Sequence, residues 1–127
     1  MTDAELIKAY LTYAATTMRD GADAECFAAR EDLDELIADA PERAYAIICE
    51  IIRRVLPQDE DILAYVAAGP LEDLLAVHGH AFIDRIEMLA QSDGHFRRAV
   101  SGVWGWNRIP LDVRARLDAL LGNEPRL

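Results

Sequence analysis

Two histidines one residue apart, His78 and His80, are the side chains in this chain best suited to hold a metal: imidazole is a good ligand, and Glu72, Asp73, Asp84 and His95 are available to complete a site. Their spacing argues against it. Helical ligands are offered at i and i+3 or i+4, whereas this pair flanks Gly79, where a helix is predicted to stop. His78 also has a plain structural reading, as a polar residue in the last turn of a helix, where its protonated form suits the macrodipole. Glu72 and Asp73 are neighbouring carboxylates, but paired acid-base chemistry needs two acids converging on one cleft with separated pKa values, and acids at a helix start are commonplace. Neither Cys26 nor Cys49 lies in an electropositive loop, and there is no Gly-x-Ser-x-Gly elbow. Gly102-Val103-Trp104-Gly105-Trp106 lacks the Lys-Ser/Thr and the preceding strand of a phosphate loop. The sequence thus equips no recognisable enzyme and implies no cofactor.

Two stretches carry interaction chemistry instead. The first is Trp104-Gly105-Trp106-Asn107-Arg108. Tryptophans two apart cannot share a helix face, so with Trp104 in the core Trp106 leaves it, and Trp beside Arg108 is a pairing that anchors interfaces or stacks on planar ligands. The bland alternative is a tryptophan lid closing the end of a helical core. The second stretch runs from Asp20 to Glu42, where nine acids face the single Arg30; its candidates for partner contact are Asp32, Asp34, Glu35 and Asp39. Such a run is either a solvated, solubilising face or a surface that meets a basic protein. Net charge is −10, and residues 1–63 carry nearly all of it, fifteen acids against six bases. Direct binding of nucleic acid is disfavoured, because no Lys/Arg stripe exists to neutralise phosphates and Lys8 is the only lysine.

These residues must be positioned by helices, since no stretch alternates with period two between turn signals. Thr2 followed by Glu5 is a capping box opening a first helix that ends near Asp20-Gly21. Asp23 caps a second, with Cys26-Phe27, Leu33 and Leu36-Ile37 as its apolar side. Pro41 opens a third, whose apolar stripe from Ala44-Tyr45 to Val55-Leu56 is so wide that it belongs at the centre of the core; Pro57 stops it. Then follow a short helix near 59–67 closed by Gly69, one from Pro70 ended by Gly79 with Leu71, Leu74, Leu75 and Val77 buried, and one over 80–91. Ser92-Asp93 starts a helix that carries Phe96, Ala99-Val100 and Val103-Trp104 inward, and Pro110 starts a last helix ended by Gly122. The predicted fold is all-α, a compact domain over 1–122 of seven to eight short helices in an antiparallel helical-hairpin or orthogonal bundle arrangement, with 123–127 a loose tail.

The arrangement Ala68-Gly69-Pro70-Leu71-Glu72-Asp73-Leu74-Leu75, His78-Gly79, Phe82-Ile83, Ile86-Glu87, Ala90, Asp93, Phe96-Arg97 and Val103-Trp104, with Pro41-Glu42-Arg43-Ala44-Tyr45 upstream, resembles a family of small bacterial helical proteins known only as a domain of unknown function. The resemblance spans roughly the last two thirds of the chain and carries over no catalytic residue. Trp106 lies outside that pattern.

With 127 residues, the chain can bury about two thirds of its unfolded surface without a staple. Cys26 and Cys49 read as small buried hydrophobes, and the acidic N-terminus has no signal-peptide pattern, which points to the cytoplasm. No apolar run reaches the ~20 residues of a membrane span. The expectation is therefore an acidic protein-binding module of inhibitor or immunity type that meets a basic partner, its oligomeric state open. The alternative is a small-molecule or metal-binding helical protein using the His78/His80 or Trp104/Trp106 region.

Overall fold

The computed structural model describes residues 1–20, 24–105 and 107–127, and the side chains of these except at 19, 20 and 24–26. Seven α-helices account for the fold among them: α1 (Asp3–Asp20), α2 (Ala24–Asp39), α3 (Pro41–Arg54), α4 (Glu60–Val66), α5 (Glu72–Ser92), α6 (Gly94–Val100) and α7 (Leu111–Leu121). No strand occurs among the described residues, so the class is all-α as the sequence predicts. The proposed Asp23 cap and the Cys26 side chain lie outside the described residues.

Helix α3 is the hub. Ala44, Ile47, Ile48, Ile51 and Ile52 are all buried, and the helix packs against α1, α2, α4, α5 and α6. Only an apolar face wide enough to meet several neighbours permits this. Helix α1 contributes Leu6, Ile7, Tyr10, Tyr13 and Ala14 to the same core, and its start is fixed by Thr2, whose Oγ1 accepts the Glu5 N–H at 3.1 Å. Helix α2 turns Ala29, Leu33 and Ile37 inward at i, i+4 and i+8, a narrower stripe than predicted; Phe27 stays exposed with Arg30 over its ring at 5.8 Å.

The predicted breaks at Gly69-Pro70 and Gly79 are not chain breaks. The helix from Glu60 to Ser92 is carried across both places as kinks, with non-helical angles at Gly69 and His78, so the seven to eight predicted helices become six runs among the described residues. Pro70 has no N–H to give, and the chain absorbs the gap in a π-helical turn, Ala67–Leu71, in which the Glu72 N–H reaches back to Ala67 O. Gly69 takes non-helical angles there (φ −92°, ψ −105°). At the second place it is His78 that leaves helical geometry (φ −127°, ψ 26°), while Gly79 is buried under α7: a Cβ on it would stand 3.2 Å from Val113 Cγ1. Gly79 is there for close helix approach, not for termination. Because the turns are shifted, Val77, predicted to be buried, is exposed.

Asp93 caps α6 as expected, accepting the Phe96 N–H at 3.0 Å. After α6, Val103 and Ile109 enter the core, but Trp104 does not; it is 41% exposed. Its indole N–H donates to Leu127 O at 3.0 Å, and Arg126 lies 4.8 Å over its ring. The tail predicted to be loose is therefore held: Arg97 bonds Glu124 and Leu120 O, Arg98 bonds Pro125 O, and Leu127 packs against the core. No helix among the described residues is long and apolar enough to cross a membrane.

Candidate functional site

Helix α2 carries the acidic candidates, and helical geometry divides them into two stripes. Asp32, Glu35 and Asp39, at i, i+3 and i+7, line a groove of about 250 Å³ with Met1, Leu6, Leu36 and Arg43. Arg30, Asp34 and Ala38, at i, i+4 and i+8, face the other way, toward the π turn and the start of α5. Elsewhere many of the surface acids have cations: Asp3 pairs with Arg43, Glu42 with Arg85, Glu50 with Arg53 and Arg54, Glu60 with Arg98, and Asp84 and Glu87 with Arg116, whereas Glu5, Asp59 and Asp61 stand without one among the described residues. On α2 the only ion pair among the described residues is Arg30 with Asp34, at 3.9 Å; Glu31, Asp32, Glu35 and Asp39 have none. The acidic character read from the sequence therefore survives folding as uncompensated surface charge. Of the second-half arginines, Arg85 reaches Glu42 at the end of the acidic run and Arg98 reaches Glu60, while the ion pairs of Arg97, Arg108 and Arg116 are with acids of their own half and none of these arginines pairs with an acid of α2.

Between α1, α2 and the π turn lies a cleft of about 260 Å³, walled by Tyr10, Arg30, Asp34, Tyr65 and Asp73 and floored by Ala68-Gly69-Pro70. A cluster of tyrosines stands behind it: Tyr10 and Tyr13 rings are 5.8 Å apart, Tyr13 and Tyr65 6.1 Å. The Tyr65 hydroxyl donates to Tyr13 Oη at 3.0 Å. Burial, helped by that donated bond, pushes Tyr65 up to about 12. Burial also pushes Tyr13 upward, but accepting hydrogen bonds from Tyr65 and Arg30 outweighs it and leaves the group below its ordinary value. Tyr10 is 2% exposed and strongly raised by burial. Its hydroxyl has no hydrogen-bond partner among the described residues and lies 3.5 Å from where a Cβ on Gly69 would be. Asp34 is raised, first by burial and then by the Asp73 carboxylate, against the opposing pull of Arg30.

A second groove of about 210 Å³ continues from this cleft along α2 and α5, sharing Asp34 and Asp73 and adding Ile37, Ala38, exposed Val77 and Arg108. Arg108 is thus brought beside Asp34, as the sequence did not foresee. Its guanidinium bonds Glu72 Oε2 at 2.9 Å and Asp73 Oδ1. Glu72, read as an ordinary helix-start acid, is buried; its Oε1 accepts the Gly105 N–H at 2.9 Å. Gly105 holds φ +72°, and a Cβ there would meet Ile109 Cδ1 at 2.7 Å, so glycine is required. Glu72 consequently pins the loop after α6 to the start of α5. Trp106 lies outside the described residues.

The two histidines are not brought together on one ligand position. His78 Nε2 is 2.8 Å from Ile37 O, in the last turn of α2, so its polar role is to satisfy a carbonyl of a neighbouring helix rather than its own. His80 Nε2 sits 2.8 Å from Asp112 Oδ2 on α7, and that contact holds the Asp112 carboxyl below its usual range. Among the described residues no three His, Cys, Asp or Glu side chains gather as a metal site. Cys49 is a free, half-buried thiol that burial pushes up, away from the reactive thiolate.

The signals that sequence reasoning missed are Tyr10 and Tyr65, and Asp73, weighed there as a metal ligand or acid-base partner of Glu72, was not connected with Asp34, because only tertiary packing brings the four together. The one local hint was Gly69-Pro70, since π turns inside helices often mark functional sites. Compared with known proteins, the chain matches no curated protein and no solved structure. Residues 17–124 match the profile of a family of unknown function, DUF6869, and the chain, all-helical as described, belongs to that family.

Proposed function

We propose that this protein is a cytoplasmic binding module of inhibitor or immunity type, whose acidic second helix covers a basic surface on a partner protein. The observation that carries the reading is the absence of cations opposite Glu31, Asp32, Glu35 and Asp39 among the described residues, on a molecule whose other acids are widely paired. Uncompensated charge of one sign steers association with the opposite sign and adds to the free energy of a complex once desolvated against it. Nucleic acid is a poor fit as that partner, because Arg97, Arg98 and Arg116 are engaged by acids or carbonyls and form no open stripe.

The test is affinity capture from the native cell with the wild-type chain and with Asp32→Lys, Glu35→Lys and Asp39→Lys combined. A single stoichiometric basic protein is expected, retained at about 0.05 M salt and weakened at about 0.5 M. The triple variant should lose it while keeping its helical content. Capture unchanged by the reversal and by salt sinks the reading.

A further inference from the structure

We propose that the cleft beside α2 seats an arginine side chain of the basic partner, its guanidinium lying between Asp34 and Asp73 and against Tyr10 and Tyr65. The inference rests on the basic-partner reading and names the anchor within it. Four observations carry it. Asp34 belongs both to the helix with the unpaired acids and to the cleft wall, so the cleft continues the proposed interface inward. Arg30 stands 3.9 Å from Asp34, and Arg108 is shared between Glu72 and Asp73, so the three carboxylates in and beside the cleft face two guanidiniums and one further cation is admitted. Tyr10 lines the cleft, and its hydroxyl makes no hydrogen bond among the described residues, so it is free to bond whatever enters. Finally, the cleft, at about 260 Å³, is smaller than the ~300–1,000 Å³ of pockets for whole small molecules, a size for one side chain.

Arginine suits these walls better than lysine. The acceptors are spread over two carboxylates on different helices and two phenol oxygens, which a planar fork of five N–H donors can reach together and a compact ammonium cannot. Tyrosine rings add a surface that a guanidinium favours. An arginine in a desolvated pocket is also the usual anchor of an interface. Asn at Asp34 would remove one of the two charges that select the cation while leaving the space unchanged. The floor matters too: at Gly69 a side chain would begin 3.5 Å from the Tyr10 hydroxyl and fill the seat.

The experiment is an amide-resolved NMR titration of the whole chain with N-acetyl-arginine methylamide, with the blocked citrulline and blocked lysine analogues and free arginine as comparisons. Saturable shifts at Tyr10, Asp34, Gly69 and Asp73 are expected, with blocked arginine binding at least tenfold more tightly than blocked citrulline. Asp34→Asn should weaken it at least fivefold, and Tyr10→Phe should weaken it less, with both variants retaining the wild-type amide spectrum elsewhere. No saturable shift, equal binding of citrulline, or binding indifferent to Asp34→Asn overturns the inference. So does free arginine binding far more tightly than the blocked form, which would make the cleft a site for an amino acid. The parent reading is separable, since Asp32, Glu35 and Asp39 do not line the cleft. Capture that needs those three acids, combined with no response to blocked arginine, discards the anchor alone. Blocked-arginine binding lost in Asp34→Asn, with capture independent of the three acids, supports the anchor and discards the acidic-groove reading.

Discussion

Replacing Glu72 by alanine should destabilise the protein by about 2–4 kcal/mol, a large effect for one acid at a helix start. The magnitude follows from what the carboxylate holds. Its Oε1 is the acceptor for the buried Gly105 N–H, and orphaning a buried donor costs about 1–3 kcal/mol. Its Oε2 bonds Arg108, which is half exposed, so that pair is worth about 0.5–1 kcal/mol rather than the value of a fully buried one. For a domain of this length, at about 3–5 °C per kcal/mol, Tm should fall by about 6–20 °C. Glu72→Gln keeps an oxygen for Gly105 and should cost only about 1 kcal/mol. The assay is urea and thermal unfolding followed by far-UV circular dichroism, with Arg108→Ala and the double variant closing the cycle; the pair should cost less than the sum by at least about 0.5 kcal/mol. A Glu72→Ala variant within about 0.5 kcal/mol of wild type would refute the claim that this carboxylate ties the loop to α5.

Three further outcomes are expected. Gly79→Val should destabilise by about 1–3 kcal/mol, because a Cβ alone already stands 3.2 Å and 3.3 Å from the Val113 methyls; Val113→Ala should recover part of the loss in the double variant, measured by the same unfolding curves. Asp34→Asn should raise Tm at pH 7. The folded pKa of Asp34 is raised above its ordinary value of 3.8, so its protonation favours the folded state; that contribution is present below 3.8 and is lost as pH rises through the folded value, leaving the charged form a cost that Asn removes. The advantage should vanish below pH 3.8, and a variant that is no more stable at neutral pH contradicts the burial argument. Raising salt from about 0.05 to 0.5 M should raise Tm of the isolated protein by screening repulsion along α2. The triple lysine variant should show a smaller rise, and a fall in wild-type Tm would count against net repulsion.

Local patterns with local causes were legible. The apolar width of α3 announced its central place, Thr2 and Asp93 were readable as caps, and the inward side of α7 shows as Val113, Leu117 and Leu121 at helical spacing. The misreadings share a physical cause: a residue whose role is set across the fold looks, in sequence, like one whose role is local. Gly79 has the composition of a helix stop but serves the approach of Val113 from thirty-four residues away. Trp104 is large and apolar enough for the core, yet its indole N–H finds the Leu127 carbonyl and its ring finds Arg126, so it stays at the surface and fastens the tail. Glu72 resembles any acid in a first turn until Gly105 and Arg108 arrive. The acids of α2 were legible as a charged face, and their division into two stripes follows from the helical period; what Asp34 faces does not, because Tyr10, Tyr65 and Asp73 come from three other helices.

That division also decides how the surface can work. Charge spread evenly around a cylinder would attract any polycation and distinguish none, since exposed pairs are each worth about 0 to 1 kcal/mol and are easily screened. Here the stripe of Asp32, Glu35 and Asp39 is open to water and suited to steering, while Asp34 sits at the mouth of a cleft where dehydration makes one correct pairing worth more and a wrong one costly. Val77, exposed beside Asp34 and Asp73, supplies an apolar surface of the kind a charged rim surrounds in a specific interface. The π turn makes the combination possible. An unbroken α-helix across Gly69-Pro70 would demand an N–H that proline lacks, whereas the extra residue in the turn carries α5 on with its first acids, Glu72 holding the Gly105 N–H and Arg108, and Asp73 sharing Arg108 while lining the cleft. Two adjacent carboxylates thus share Arg108, and only Asp73 also lines the cleft.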